Sequence, residues 1–231
     1  MLFLCIFTTF LFSLIGRLNG ECGCPDYQSF AMGPVPDENN IIEGDMKLSP
    51  DQIPMLYGFR NVIQKYRRWP NGVVPYKITD WRHKLIAWSI KMALNRLSKA
   101  TGGCVRFREA TSQDRDYVKI VYKSGCWSYI GKLGGVQELS LGLGCELHRI
   151  VQHEFIHALG FGHEQSRPDR DSHTQIHWKN IERKHCHNFR MWGRLPDEPY
   201  DIRSIMHYGH KDFSCKFLGG WTMSTKEGKS V

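Results

Sequence analysis

The feature that most constrains this chain is the run His153-Glu154-Phe155-Ile156-His157, followed by Gly160 and His163. On a helix, residues i and i+4 stack on one face, so His153 and His157 can meet one cation only if this stretch is helical. Glycine accepts positive φ, so Gly160 can stop the helix and turn the chain, returning His163 toward the same point. Ile150 to Leu159 is therefore predicted as a helix ended by Gly160. Structural zinc sites usually close with four protein ligands, whereas three imidazoles leave one position for water. Glu154, next to the first ligand, is placed to take a proton from that water.

A length of 231 residues suffices for one large core or for two lobes around a cleft. With 41% hydrophobic and 23% charged residues the composition is that of an ordinary globular chain. The formal charge of +8 could suit nucleic acid, but Lys and Arg are scattered with no long basic run, so no nucleic-acid partner is expected. Val73 to Ile78 is predicted as a strand, at a sheet edge because of Pro75. Ile86, Ile90, Ala93 and Leu97 recur at helical spacing, and Gly102-Gly103 stops that helix. Further strands are predicted over Val105 to Arg108, Tyr117 to Tyr122, Trp127 to Ile130 and Val136 to Leu141. After Gly162 the chain has few regular patterns, and His173, His177, His185 and His187 read as surface residues.

The first residues read as an export signal. Met1 is followed by apolar residues to Ile15, too few to span a bilayer, and Arg17-Leu18-Asn19-Gly20 breaks the run. Residues 1–20 are predicted as a signal peptide, with no membrane attachment after its removal. Cys5 leaves with it, so 8 − 1 = 7 cysteines remain, consistent with disulfides in an oxidising, extracellular compartment. An odd number leaves one sulfur without an internal partner. Residues 21–60 carry five prolines and few apolar runs, and read as an extended arm or pro-segment. Arg60-Asn61 is a bond that a trypsin-like protease could cut, leaving 61–231 as the catalytic domain.

Two downstream stretches join the histidine run: Arg167-Pro168-Asp169-Arg170-Asp171 and Ser204-Ile205-Met206-His207-Tyr208. Together the three resemble the astacin family of metzincin zinc proteases, and the resemblance extends from about Trp69 to Tyr208. It implies an α+β, zincin-like domain. The N-terminal lobe would carry a twisted mixed sheet and two long helices, the C-terminal lobe would be irregular, and the active-site cleft would lie between them. It implies one zinc ion on His153, His157 and His163, with Glu154 as general base and then general acid. Tyr208 would swing to stabilise the oxyanion, and Met206 would form a turn under the metal. Glu164 would lie near the new amino terminus formed on activation, in an ion pair. Cys126, Trp127 and Ser128 match the edge strand on which a protein or peptide substrate would lie antiparallel, and Cys126 would pair with Cys145.

The same resemblance suggests how such an enzyme is kept silent. Ile42-Glu43-Gly44-Asp45 is similar to the family's latch, in which the aspartate takes the metal position meant for water; Ile42 replaces the usual Phe. Cys22-Gly23-Cys24-Pro25-Asp26 is similar to the cysteine switch of matrix metalloproteases, although Cys22 and Cys24 can equally form disulfides. Cys104 would pair with a cysteine near the domain's C-terminus, where this chain offers none, so the C-terminal end is expected to be truncated. Cys186 and Cys215 could bridge each other, or one could capture Cys104.

Overall fold

A computed structural model describes residues 22–24, 35–53, 68–192, 197–215 and 220–231. The signal segment and the Arg60-Asn61 bond lie outside the described residues. The upper lobe is built on a seven-stranded mixed sheet in the order β1-β2-β6-β7-β5-β3-β4. The strands are β1 (Ile41–Ile42), β2 (Met46–Lys47), β3 (Val73–Ile78), β4 (Arg106–Glu109), β5 (Tyr117–Val121), β6 (Cys126–Tyr129) and β7 (Val136–Leu141). Strands β4, β3, β5 and β7 run parallel, β6 is antiparallel to β7, and β2 is parallel to β6.

Three helices accompany the sheet: α1 (Trp81–Leu85), α2 (Ala87–Ala100) and α3 (His148–Leu159). Asp80 starts α1 by accepting a bond from the Arg82 backbone N–H. The periodic apolar residues of α2, Ile90, Ala93, Leu94 and Leu97, are all buried. They pack with Val118, Ile120, Leu139 and Leu141 of the sheet and with Val151, Phe155 and Ala158 of α3. Phe155 stands at the centre, edge-on to Tyr76 at 6.1 Å and to Phe107 at 5.4 Å between ring centroids.

The predicted helix of the histidine run is present, and Gly160 caps it at φ 109°. Its N–H and that of Phe161 both return to the Ile156 carbonyl, which closes the last turn. Strand β3 corrects an expectation, since it lies between β5 and β4 rather than at an edge. Pro75 is tolerated because the ladder with β5 starts at Tyr76, one residue later, so no bond to β5 is lost.

The lower lobe is irregular, as expected. It holds short 3-10 turns and a two-stranded sheet, β8 (Thr174–Ile176) with β9 (Met223–Thr225). Its apolar cluster is small: Ile181, Cys186, Phe189, Tyr208 and Met223. Polar side chains fill the rest, including buried Gln165, Arg170, Asn188, Thr222 and Ser224. His177, His185 and His187 are half-buried, and only His173 of that group is exposed.

The stretch 35–53 also departs from expectation. It is not a coreless arm, because Ile42, Met46 and Leu48 are buried and form a third cluster with Ile130. Three disulfides are present among the described residues. Cys126–Cys145 is the bridge that the resemblance implied. Cys22 pairs with Cys215 and Cys24 with Cys186, so neither a Cys186–Cys215 bridge nor a bridge to Cys104 forms. The reason is the position of residues 22–24, whose backbone bonds the Ile181 and Trp178 carbonyls of the lower lobe. Cys104 is exposed and unbridged.

Candidate metal centre

Helix α3 presents His153 and His157 from successive turns, and the Gly160 turn brings in His163. Each ring is oriented through Nδ1. His153 Nδ1 bonds the Ile205 carbonyl at 2.8 Å, His157 Nδ1 the Phe161 carbonyl at 2.8 Å, and His163 Nδ1 the Glu43 carboxylate at 2.7 Å. A ring whose Nδ1–H is donated to an oxygen carries its lone pair on Nε2. The three Nε2 atoms therefore face one another as bases, with His153 3.0 Å from His157 and 3.3 Å from His163. Asp45 adds carboxylate oxygens 3.1 Å from His153 Nε2 and 3.2 Å from His163 Nε2.

So many lone pairs this close demand a positive charge between them. Nitrogens ~2.0–2.1 Å from a tetrahedral zinc stand roughly 3.3 Å apart, close to the separations here, and the three-nitrogen, one-oxygen donor set suits that ion. All four donor atoms lie within 4.8 Å of one another. The residues present thus fit one zinc ion. Burial pushes His157 down to about 4. At His163 burial opposes the charge, but Asp45 and Glu43 outweigh it and lift the ring to about 10. Burial likewise opposes the Asp45 charge, yet His163, His153 and His157 hold its carboxyl well below the usual range.

Glu154 is 1% exposed, and its Oε2 has no hydrogen-bond partner among the described residues. Burial, and then the Asp45 charge, push its carboxyl well above the ordinary carboxylate range. Tyr208 is buried with its ring 4.9 Å from that of His163, and its hydroxyl donates to the Glu43 carbonyl. Burial, with Glu43 and Asp45 nearby, raises its phenol well above the usual value. Met206 is 5% exposed; its carbonyl accepts from the Glu164 N–H, while the Ile205 carbonyl before it holds His153. Glu164 accepts from Arg167 at 2.9 Å and from the Asp201 N–H at 2.7 Å; the amino terminus expected near it lies outside the described residues.

Strand β6, which carries Cys126, Trp127 and Ser128, is covered by β2 and is not at a free edge. Met46 pairs with Ser128 and Lys47 with Tyr129, in parallel, and the Ser128 N–H donates to the Asp45 carbonyl at 2.9 Å. Lys47 Nζ lies 4.4 Å above the Trp127 ring, and Ser128 is buried. The cysteine-switch alternative is excluded, because Cys22 and Cys24 are both bridged to the lower lobe.

Sequence reasoning missed Glu43. It is 1% exposed, at φ 53°, and ties three groups together: its carboxylate holds His163 and the Trp192 indole N–H, and its carbonyl holds Tyr208. The available signal was position alone, two residues before Asp45.

The sequence model of the peptidase family described as Astacin matches residues 61–230. The zinc metalloproteinase nas-4 of Caenorhabditis elegans is 39% identical over 189 residues, which cover 78% of this chain and 59% of that protein. High choriolytic enzyme 2 of Oryzias latipes is 36% identical over 200 residues, covering 83% of this chain and 70% of its own length. Among solved structures, high choriolytic enzyme 1, a hatching enzyme zinc-protease of Oryzias latipes, superposes with a TM-score of 0.62 at 38% identity. That match covers 69% of this chain and 80% of the other. The chain thus spans about three fifths of the nematode relative it matches.

Proposed function

We infer the activity from one premise, that the chain belongs to the astacin family of peptidases. It is a secreted zinc endopeptidase that hydrolyses peptide bonds in proteins or peptides, made as a zymogen latched by Asp45. The observation that carries this reading is the convergence of three oriented Nε2 atoms beside a buried, unpartnered carboxylate oxygen of Glu154. A zinc ion held there acidifies water and polarises a peptide carbonyl.

The remaining steps belong to the chain's own groups. Glu154 Oε2, buried and without a hydrogen-bond partner among the described residues, takes the proton of the attacking water and passes it to the leaving amine. Tyr208, once its hydroxyl leaves the Glu43 carbonyl, can donate to the oxyanion that develops at the former carbonyl oxygen. Strand β6 offers its edge to an extended peptide once β2 departs. The Ile205 carbonyl, next to buried Met206, holds the His153 ring in place.

Silence follows from the same contacts. The Asp45 carboxylate fills the fourth donor position, which a catalytic site keeps open. Strand β2 runs parallel to β6, the reverse of the direction expected of substrate. A trypsin-like protease cutting at Arg60 would start activation, and Glu164 would then exchange Arg167 and Asp201 for the new amino terminus. The disulfides support an oxidising, extracellular setting, and among the described residues no helix is long and apolar enough to cross a membrane.

The test is peptide hydrolysis by activated protein, with and without a zinc chelator. Glu154→Gln should lower turnover at least ~100-fold, in the range assigned to general acid–base catalysis, while bound zinc stays at one per chain. Undiminished cleavage by that variant, or by chelated protein, would contradict the reading.

A further inference from the structure

We propose that segment 22–53 stays covalently attached and latched after the chain is cut between residues 53 and 68, so that one cut alone does not free the cleft. The inference rests on the reading of Asp45 as the latch. The segment is held at two ends by different means. At its start, Cys22–Cys215 and Cys24–Cys186 bridge it to the lower lobe across 193 and 162 residues of sequence. The backbone between them adds a Gly23 N–H bond to the Ile181 carbonyl at 2.9 Å and a Cys24 N–H bond to the Trp178 carbonyl at 3.2 Å. Both receiving cysteines are buried, at 3% and 9% exposure. At its far end, Asp45 and Glu43 engage the histidines and β2 lies on β6. Ile42, Met46 and Leu48 pack on Ile130, and Gln52 Nε2 donates to the Ile130 carbonyl at 2.8 Å.

A peptide cut beyond residue 53 breaks none of these ties. An inhibitory segment joined only through the cut bond would be lost to dilution. One tethered on the other side re-engages at an effective concentration in the millimolar range. Because there are two bridges, either one suffices. Release then needs a second event. In thiol–disulfide exchange, each bridge accepts two electrons and two protons from a dithiol, which itself becomes a disulfide, leaving Cys22, Cys24, Cys186 and Cys215 as thiols. A second peptide cut between Cys24 and Asp45 would free the latch without touching sulfur.

The experiment uses the full chain, cut by limited trypsin treatment and then thiol-blocked and denatured. Without reductant the N-terminal fragment should migrate with the domain, and with reductant it should separate. The paired variants C22S/C215S and C24S/C186S should each retain the fragment, and the quadruple variant should release it. Separation of the wild-type fragment without reductant would overturn the tether, and this readout does not depend on any variant folding. Latching is read by hydrogen exchange of the Ser128 N–H, which Asp45 holds. Exchange in the cut, non-reduced wild type should stay within ~3-fold of the uncut protein, and loss of protection on cutting would overturn the persistent latch. Neither measurement uses turnover, so failure of the peptidase reading would register separately.

Discussion

The two lobes are held together by different forces. The upper lobe buries a continuous apolar core in which Phe155, Ile90, Leu94, Ile120 and Leu139 are at most 2% exposed. The lower lobe has a small apolar cluster and relies on two disulfides, buried polar groups and an arginine network. Hydrophobic burial is non-directional and scales with area, so the upper lobe fixes the metal-bearing helix as part of its own stability. The lower lobe depends on particular bonds, so it can lose one of them while the upper lobe stands. The histidine cluster lies at the seam: His153 and His157 come from the strongly packed side, and Tyr208, 4.9 Å from the His163 ring, from the side held by specific contacts.

Substitutions can break this comparison in graded steps. The largest expected effect is from Phe155→Ala, which should cost ~3–5 kcal/mol by opening a cavity where α3 meets the sheet. Thermal denaturation should show cooperative loss of α2 and α3, with metal binding lost alongside. Arg170→Ala should cost less, ~1–3 kcal/mol, because it removes the donor at 2.6 Å to the buried Phe189 carbonyl. Its loss should appear first as faster hydrogen exchange in the lower lobe, with α2 and α3 still protected.

The smallest expected effect is from Asp169→Asn, ~1 kcal/mol or less, since the Arg167–Asp169 pair is partly exposed. The Arg167 guanidinium beside it holds the Asp169 carboxyl below its usual value. The unfolded chain therefore binds the proton more readily than the folded one. This contribution is present above the ordinary carboxylate range and disappears as pH falls through the lowered native value. Acid titration of stability should show a shallower low-pH loss in the variant than in the wild type.

What could be read from the sequence follows the same division. The histidine run declares a helix and a turn because ligand spacing, helical period and Gly160 are local and agree. Strands β3 to β7 were also legible from their local residue pattern, whereas β1 and β2, two residues each, were not. Pro75 misled because a rule about edges ignores stagger, and stagger depends on where β5 begins. Glu43 was invisible because its partners lie far off, 120 residues away at His163 and 149 at Trp192. The pairing of Cys22 and Cys24 could not be deduced either, since their partners Cys215 and Cys186 lie 193 and 162 residues away in sequence.

X-ray absorption at the zinc edge, on protein purified with its metal, reads this central cluster directly. The account predicts one zinc per chain with three nitrogen neighbours at ~2.0–2.1 Å and an oxygen neighbour that Asp45→Ala alters in the uncut chain. A sulfur shell, fewer than three imidazole neighbours, or no bound zinc would contradict it.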